Sequence, residues 1–90
     1  MTGKLKRATR RSLSRDLLDY VAPWLIDHPE EMSVLEVEGE GNVLIYEVTV
    51  HPDDVGKIIG RRGRTIRALR ALARAGGQMD GRSVTVEVVD

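Results

Sequence analysis

Two apolar helical patterns meet at Gly60-Arg61-Arg62-Gly63, with no residues to spare for anything but a tight turn between helices. Val55-Gly56-Lys57-Ile58-Ile59 precedes the turn and Arg64-Thr65-Ile66 follows it. Gly60 and Gly63 lack a Cβ, so the backbone there reaches turn conformations and comes close to a ligand where a larger residue would stand in the way. Arg61 and Arg62 add positive charge at the tip, where the exposed N–H groups of a helix start already favour anions. A phosphate backbone is the anion this arrangement suits.

The charge pattern points the same way. Formal net charge is zero, yet the basic residues fall in two blocks. The first is Lys4, Lys6, Arg7, Arg10, Arg11 and Arg15, and the second runs from Lys57 through Arg61, Arg62, Arg64, Arg67, Arg70 and Arg74 to Arg82. Between Asp16 and Gly56 there are acids and no Lys or Arg. A domain folded from such a chain has a dipolar surface, and the local field decides what it binds. The first block reads as a solvated tail. The second surrounds the turn and reads as functional.

Residues 1–12 show no periodicity and are expected to form a disordered basic tail, leaving residues 13–90 as one folded domain. Leu13, Leu17, Leu18, Val21, Trp24 and Leu25 recur at helical spacing, with Ser12 or Ser14 as N-cap. Pro23 should kink this helix or tighten its last turn. Val34–Glu38 predicts a strand with Glu36 and Glu38 outward. Gly39-Glu40-Gly41-Asn42 predicts a hairpin turn, and Val43–Val50 a second strand with Leu44, Tyr46, Val48 and Val50 inward. Pro52-Asp53-Asp54 opens a short helix that stops at Gly60. A longer helix follows to Ala75, with Ile66, Leu69, Leu72 and Ala73 on one face and Arg64, Arg67, Arg70 and Arg74 opposite. Gly76-Gly77 reads as its C-terminal stop, and Ser83–Val89 as a third strand.

Helix, strand, strand, helix, helix, strand with Gly-x-x-Gly between the adjacent helices resembles a type II KH domain. Asp27-His28-Pro29-Glu30-Glu31, the run Val50–Gly63 and the ending Val84–Asp90 are similar to the KhpA (YlqC) family of small bacterial single-KH proteins. The likeness covers nearly everything from Leu13 onward, while the basic tail and Pro23 depart from the family pattern. It implies an α+β fold, a three-stranded sheet with three helices packed on one face. It also implies a cytoplasmic, non-enzymatic protein that binds single-stranded RNA and is linked to cell elongation and division as a post-transcriptional regulator or RNA chaperone. Such proteins pair with themselves or with a KhpB (Jag/EloR)-type partner.

KH loops clamp about four backbone nucleotides of a single strand. Carried onto this chain, Gly60, Arg61, Arg62 and Gly63 would hold the phosphates, with Lys57 lining the mouth and Arg64 and Arg67 following on the next helix. Val55, Ile58, Ile59 and part of a neighbouring strand would floor a groove for the bases, although Ile58 and Ile59 read equally well as core. With no Phe, and with Trp24 and Tyr46 assigned to the core, the chain lacks the ring platforms on which other single-strand readers stack bases. Ala68, Ala71 and Ala75 form a small-residue strip that could instead seat a dimer or partner contact, the alternative being an assembly module.

Other functions find little support. The absence of cysteine excludes disulfides, thiolate metal sites and thiol catalysis, and suits a reducing cytosol. No apolar run is long enough to span a bilayer. His28 and His51 each adjoin a proline and read as turn or cap residues. The glycines match neither a P-loop nor a dinucleotide-binding fingerprint, so no cofactor, metal or small-molecule substrate is expected.

Overall fold

Ser12 caps the first helix in the computed structural model, which describes residues 12–89. The expected tail therefore lies, Ser12 apart, outside the described residues. Helix α1 spans Leu13–Val21, and the Ser12 side chain accepts a hydrogen bond from the Arg15 N–H. Leu18 and Ala22 point into the core. Pro23 cannot donate to an α-helical carbonyl, and the chain continues as a 3₁₀ turn over Ala22–Leu25. That tightening corrects one expectation. Trp24, assigned to the core, is 79% exposed. At about 3.0 rather than 3.6 residues per turn, the tighter winding rotates Trp24 and Leu25 off the apolar stripe, and Ile26 takes the buried position instead.

Strands β1 (Ser33–Glu38), β2 (Val43–Thr49) and β3 (Ser83–Val89) form a mixed sheet in the order β1-β2-β3. The β1–β2 hairpin is antiparallel with Val37 opposite Ile45, and its turn closes through the Gly39 N–H to the Val43 carbonyl. β2 and β3 run parallel with Tyr46 opposite Val86. No tight turn can join parallel neighbours, so the chain crosses between them through α2 (Val55–Ile59) and α3 (Arg64–Met79). Leu44, Tyr46 and Val48 of β2 and Val84 and Val86 of β3 face the helices, as the alternation predicts. They pack against Leu18, Ile58, Ile66, Leu69 and Ala73.

Glu36 and Glu38 are not on the outward side of the sheet. Directly opposed residues share a face, and the register sets Glu36 against buried Tyr46 and Glu38 against Leu44. Both acids remain exposed because β1 is an edge strand. The Tyr46 hydroxyl donates to Glu36 Oε1 at 3.2 Å and meets Ser12 Oγ at 2.7 Å. Burial raises the phenol's pKa, which keeps it a donor.

Helix α3 does not stop at Gly76-Gly77 but runs on to Met79. Both glycines are buried within it, and their role is steric. A Cβ on Gly76 would lie 3.0 Å from the Ser14 nitrogen, and one on Gly77 would lie 2.4 Å from Val84 Cγ2 and 2.9 Å from the Arg82 carbonyl. The missing side chains let α1 and the start of β3 approach α3. Ser14, buried at the crossing, donates to the Ala73 carbonyl at 2.6 Å. The helix ends at Asp80-Gly81, where Gly81 adopts φ +73°. On the sheet side of α3, Arg70 Nε donates to the Val86 carbonyl at 2.9 Å.

Candidate nucleic-acid interface

The α2–α3 connection is built on three positive-φ residues, Gly60, Arg62 and Gly63. Gly60 (φ 78°, ψ 170°) ends α2 with its N–H on the Gly56 carbonyl. A Cβ there would lie 2.2 Å from Thr65 Oγ1 and 2.8 Å from the Thr65 nitrogen, so the first turn of α3 sits directly over it. Arg61–Gly63 forms one 3₁₀ turn, closed by the Gly63 N–H to the Gly60 carbonyl at 3.0 Å. Arg62 (φ 55°) and Gly63 (φ 72°) are both left-handed. For glycine this is free, whereas for arginine it costs on the order of 1–2 kcal/mol. That cost falls on the residue at the tip.

Arg61, Arg62, Arg64 and Arg67 are exposed, and none has an acid partner among the described residues. Arg67 curls back toward the loop, its Nη1 3.3 Å from where a Gly63 Cβ would be. Val55 and Ile59 of α2, the helix that leads into the loop, are half-buried against the core, as is Val88 of β3. Ile58 is wholly buried, so it cannot belong to the surface of the groove. Nothing lies within 4 Å of where a Gly56 Cβ would be, leaving that side of α2 open.

Lys57 does not line the mouth as a free cation. Its Nζ lies 3.2 Å from Asp27 Oδ2 and 3.8 Å from Asp54 Oδ1, and the hydrogen bond to Asp27, foremost, raises its pKa. The ammonium is held at the acidic start of α2.

That start is anchored by a cluster the sequence does not announce. Asp54 reads locally as an acid favouring a helix N-terminus, yet it is fully buried. It accepts from the Asp27 N–H (3.1 Å), the His28 N–H (2.8 Å) and His28 Nδ1 (3.1 Å). Burial pushes the carboxyl upward, but these bonds outweigh it and hold Asp54 below the usual carboxylate value. The same bond, foremost, raises the His28 pKa. His51 Nδ1 accepts from the Asp53 N–H, the capping role expected of it, and its ring stacks on His28 at 4.0 Å between centroids. His28, His51 and Asp53 lie within reach of one another. However, stacked rings aim their lone pairs side by side, and the Asp53 N–H already occupies His51 Nδ1, so the trio suits packing better than chelation. The cluster fixes the α1–β1 connection against α2 and thereby sets the position of the loop.

Ala68, Ala71 and Ala75 are all exposed on α3. Ala68 joins Val21, Leu25, Leu69 and Leu72 around a largely apolar hollow of about 340 Å³ between α1 with its 3₁₀ extension and α3, with Arg64 and Thr65 also on its wall. Among the described residues no helix is long and apolar enough to cross a membrane.

The family profile described as KhpA/KhpB, KH domain, matches residues 15–88. The RNA-binding protein KhpA of Halalkalibacterium halodurans is 40% identical over 76 residues, 84% of this chain and 99% of that protein. Its counterpart in Chlamydia muridarum is 42% identical over 76 residues, 84% of this chain and 96% of that protein. A crystal structure of an Aquifex aeolicus Era variant bound to GDP.AlF4- superimposes with a TM-score of 0.60 at 25% identity. The overlap takes in 87% of this chain but only 30% of the Era chain.

Proposed function

This chain belongs to the KhpA/KhpB KH-domain family, and from that premise we propose that it binds single-stranded RNA through the Gly60–Gly63 loop. The observation that carries the reading is the loop itself. A close-packed Gly60, a left-handed Arg62 and a left-handed Gly63 present unpaired guanidinium groups next to α2 and its half-buried Val55 and Ile59, so phosphates and bases have separate places to rest. Gly60, Arg61, Arg62 and Gly63 hold the phosphates, Arg64 and Arg67 add charge, and Val55 and Ile59 meet the bases. Relatives named as RNA-binding proteins support the choice of ligand. The protein acts in the cytoplasm as a post-transcriptional regulator or RNA chaperone tied to cell elongation and division, and it is not an enzyme.

The test is titration of a labelled single strand. With about four phosphates held at about 0.7 each, the log–log salt slope is near −3, and fourfold more salt weakens binding by roughly 50-fold. Arg61→Asp with Arg62→Asp abolishes binding while leaving thermal unfolding unchanged. Both residues are exposed, and aspartate tolerates the left-handed conformation at position 62 better than arginine does. A folded double variant of unaltered affinity rejects the clamp.

A second function, assembly, is favoured by the exposed alanine strip and the hollow beside it. Ala68, Ala71 and Ala75 allow close helix approach, fitting a homodimer or a KhpB (Jag/EloR)-type partner. Sedimentation of the purified protein, alone and mixed with such a partner, reads this out. A monomer under both conditions rejects it.

A further inference from the structure

A basic track leads away from the clamp along α3. From Arg67 at the loop, Arg74 and Gln78 follow exposed on the same side of the helix, and Arg70 between them adds its charge while its Nε stays on the Val86 carbonyl. Arg64 to Arg74 alone is about 15 Å of helix at about 1.5 Å per residue. The row leads from the loop to a cleft at the far end of the domain, about 450 Å³ in volume, lined by Asn42, Arg74, Gln78, Gly81, Arg82 and Ser83.

Arg82 makes this cleft more than a surface hollow. Its backbone N–H is fixed on the Gly77 carbonyl at 2.7 Å, and the Ser83 N–H is fixed on the Asn42 carbonyl at 2.9 Å. The side chain is only 23% exposed, and its buried Nε has no hydrogen-bond partner among the described residues. Among the described residues its acid contact is Glu38, which stands 3.8 Å from Nη2, at the outer limit of an ion pair. A largely buried guanidinium so weakly compensated favours an anion with oxygens to spare. Arg74 is exposed across the cleft, and the Gln78 amide and the Ser83 hydroxyl supply further donors, while the Asn42 amide closes one wall by donating to the Gly81 carbonyl.

We propose that the Arg74–Arg82 cleft is a second phosphate seat. It receives the phosphodiester backbone of the same strand after that strand leaves the loop and follows the arginine row along α3. This rests on the reading of the loop as a single-strand clamp. The clamp occupies about four nucleotides, so a strand of that length leaves nothing over for the cleft.

The experiment compares an oligouridylate of clamp length with one about three times as long, by fluorescence anisotropy on the full chain. Arg74→Gln with Arg82→Gln weakens binding of the long strand roughly tenfold at physiological salt, and lowers its salt slope by about 1.4, from about 0.7 per lost contact. Binding of the short strand is unchanged. Arg74→Gln alone alters an exposed residue and takes about half of the logarithmic loss, so the outcome does not depend on Arg82→Gln folding well. Arg15→Gln, off the row, changes neither length. Equal losses for both lengths, no loss for either, or a loss in Arg15→Gln matching that in Arg74→Gln overturns the second seat. Arg61→Asp with Arg62→Asp separates the two claims. If it abolishes both lengths while the Arg74/Arg82 variant binds normally, the clamp stands and the second seat falls. Binding of neither length by the unaltered protein overturns both.

Discussion

Replacing Gly60 with alanine should be the most damaging single-methyl change in the loop. Its φ of 78° and ψ of 170° lie in a region that is essentially glycine's alone. Placing a Cβ there costs about 1–3 kcal/mol before any contact is considered. The contacts are severe: the new atom would meet Thr65 Oγ1 at 2.2 Å, Thr65 Cβ at 2.7 Å and the Thr65 nitrogen at 2.8 Å. The threonine hydroxyl can rotate away, but the nitrogen belongs to the α3 backbone and moves only with the helix. Overpacking of this kind adds about 1–3 kcal/mol. Together the two effects cost about 2–6 kcal/mol, set against a stability of about 5–15 kcal/mol for a typical domain. At about 4–8 °C per kcal/mol for a chain of this size, the Tm falls by roughly 10 °C or more. Urea unfolding of wild type, Gly60→Ala, Thr65→Ala and the double variant measures both parts. Thr65→Ala removes Oγ1 but leaves Cβ and the nitrogen, so the double variant recovers only part of the loss. Gly56→Ala is the matched control: its Cβ meets nothing within 4 Å, and it should stabilise α2 by about 0.5–1 kcal/mol. A Gly60→Ala protein within about 0.5 kcal/mol of wild type refutes the argument, and full rescue by Thr65→Ala refutes its backbone half.

The other predictions concern the frame that holds the loop. Helix propensity alone makes Gly77→Ala stabilising by about 1 kcal/mol. The 2.4 Å approach to Val84 Cγ2 and 2.9 Å approach to the Arg82 carbonyl make it destabilising by about 1–3 kcal/mol, which urea unfolding decides by sign alone. The Asp54–His28 pair gives stability a pH window. Because the folded pKa of Asp54 is lowered, its contribution is full above the ordinary carboxylate value and is lost as pH falls through the folded value. Because that of His28 is raised, its contribution is full below the ordinary imidazole value and is lost as pH rises through the folded value. Asp54→Asn turns a carboxylate that accepts three bonds into an amide that must face N–H donors with its own. It should lower the Tm at mildly acidic pH and flatten the Tm-versus-pH curve on both sides. An unchanged curve refutes the pairing.

What the sequence revealed and what it hid divide along a physical line. β3 is legible to the residue because strict alternation of Val84, Val86 and Val88 needs only the strand's own period. Gly60 and Gly63 are legible because a helix-to-helix turn leaves glycine few other uses. Gly76-Gly77 is misread because glycine serves two ends, unusual torsions and close approach, and only the partner surface, here Ser14 and Val84, tells them apart. Trp24 is misread because the 3₁₀ winding that Pro23 provokes shifts the phase of every later side chain. Asp54 could not be read at all: its partners Asp27 and His28 lie 27 and 26 positions away, and nothing beside it marks a carboxylate for burial. Lys57 and Ile58 follow from the same limit, since tertiary neighbours decide which cation is tied down and which isoleucine is covered.

The bond from Arg70 Nε to the Val86 carbonyl has a meaning for a crowded cell as well as for the fold. β3 is a seven-residue edge strand with valine at four positions, the type of segment on which stray strands nucleate aggregates. Its companion edge, β1, carries two carboxylates that deter a visitor by charge alone, whereas β3 has only Glu87. A guanidinium laid across the middle of the strand takes an acceptor that an incoming chain would need and sets a fixed positive charge where the new strand would lie. Arg70 thus guards the protein against itself: neutralising it would first show as lost solubility at high concentration.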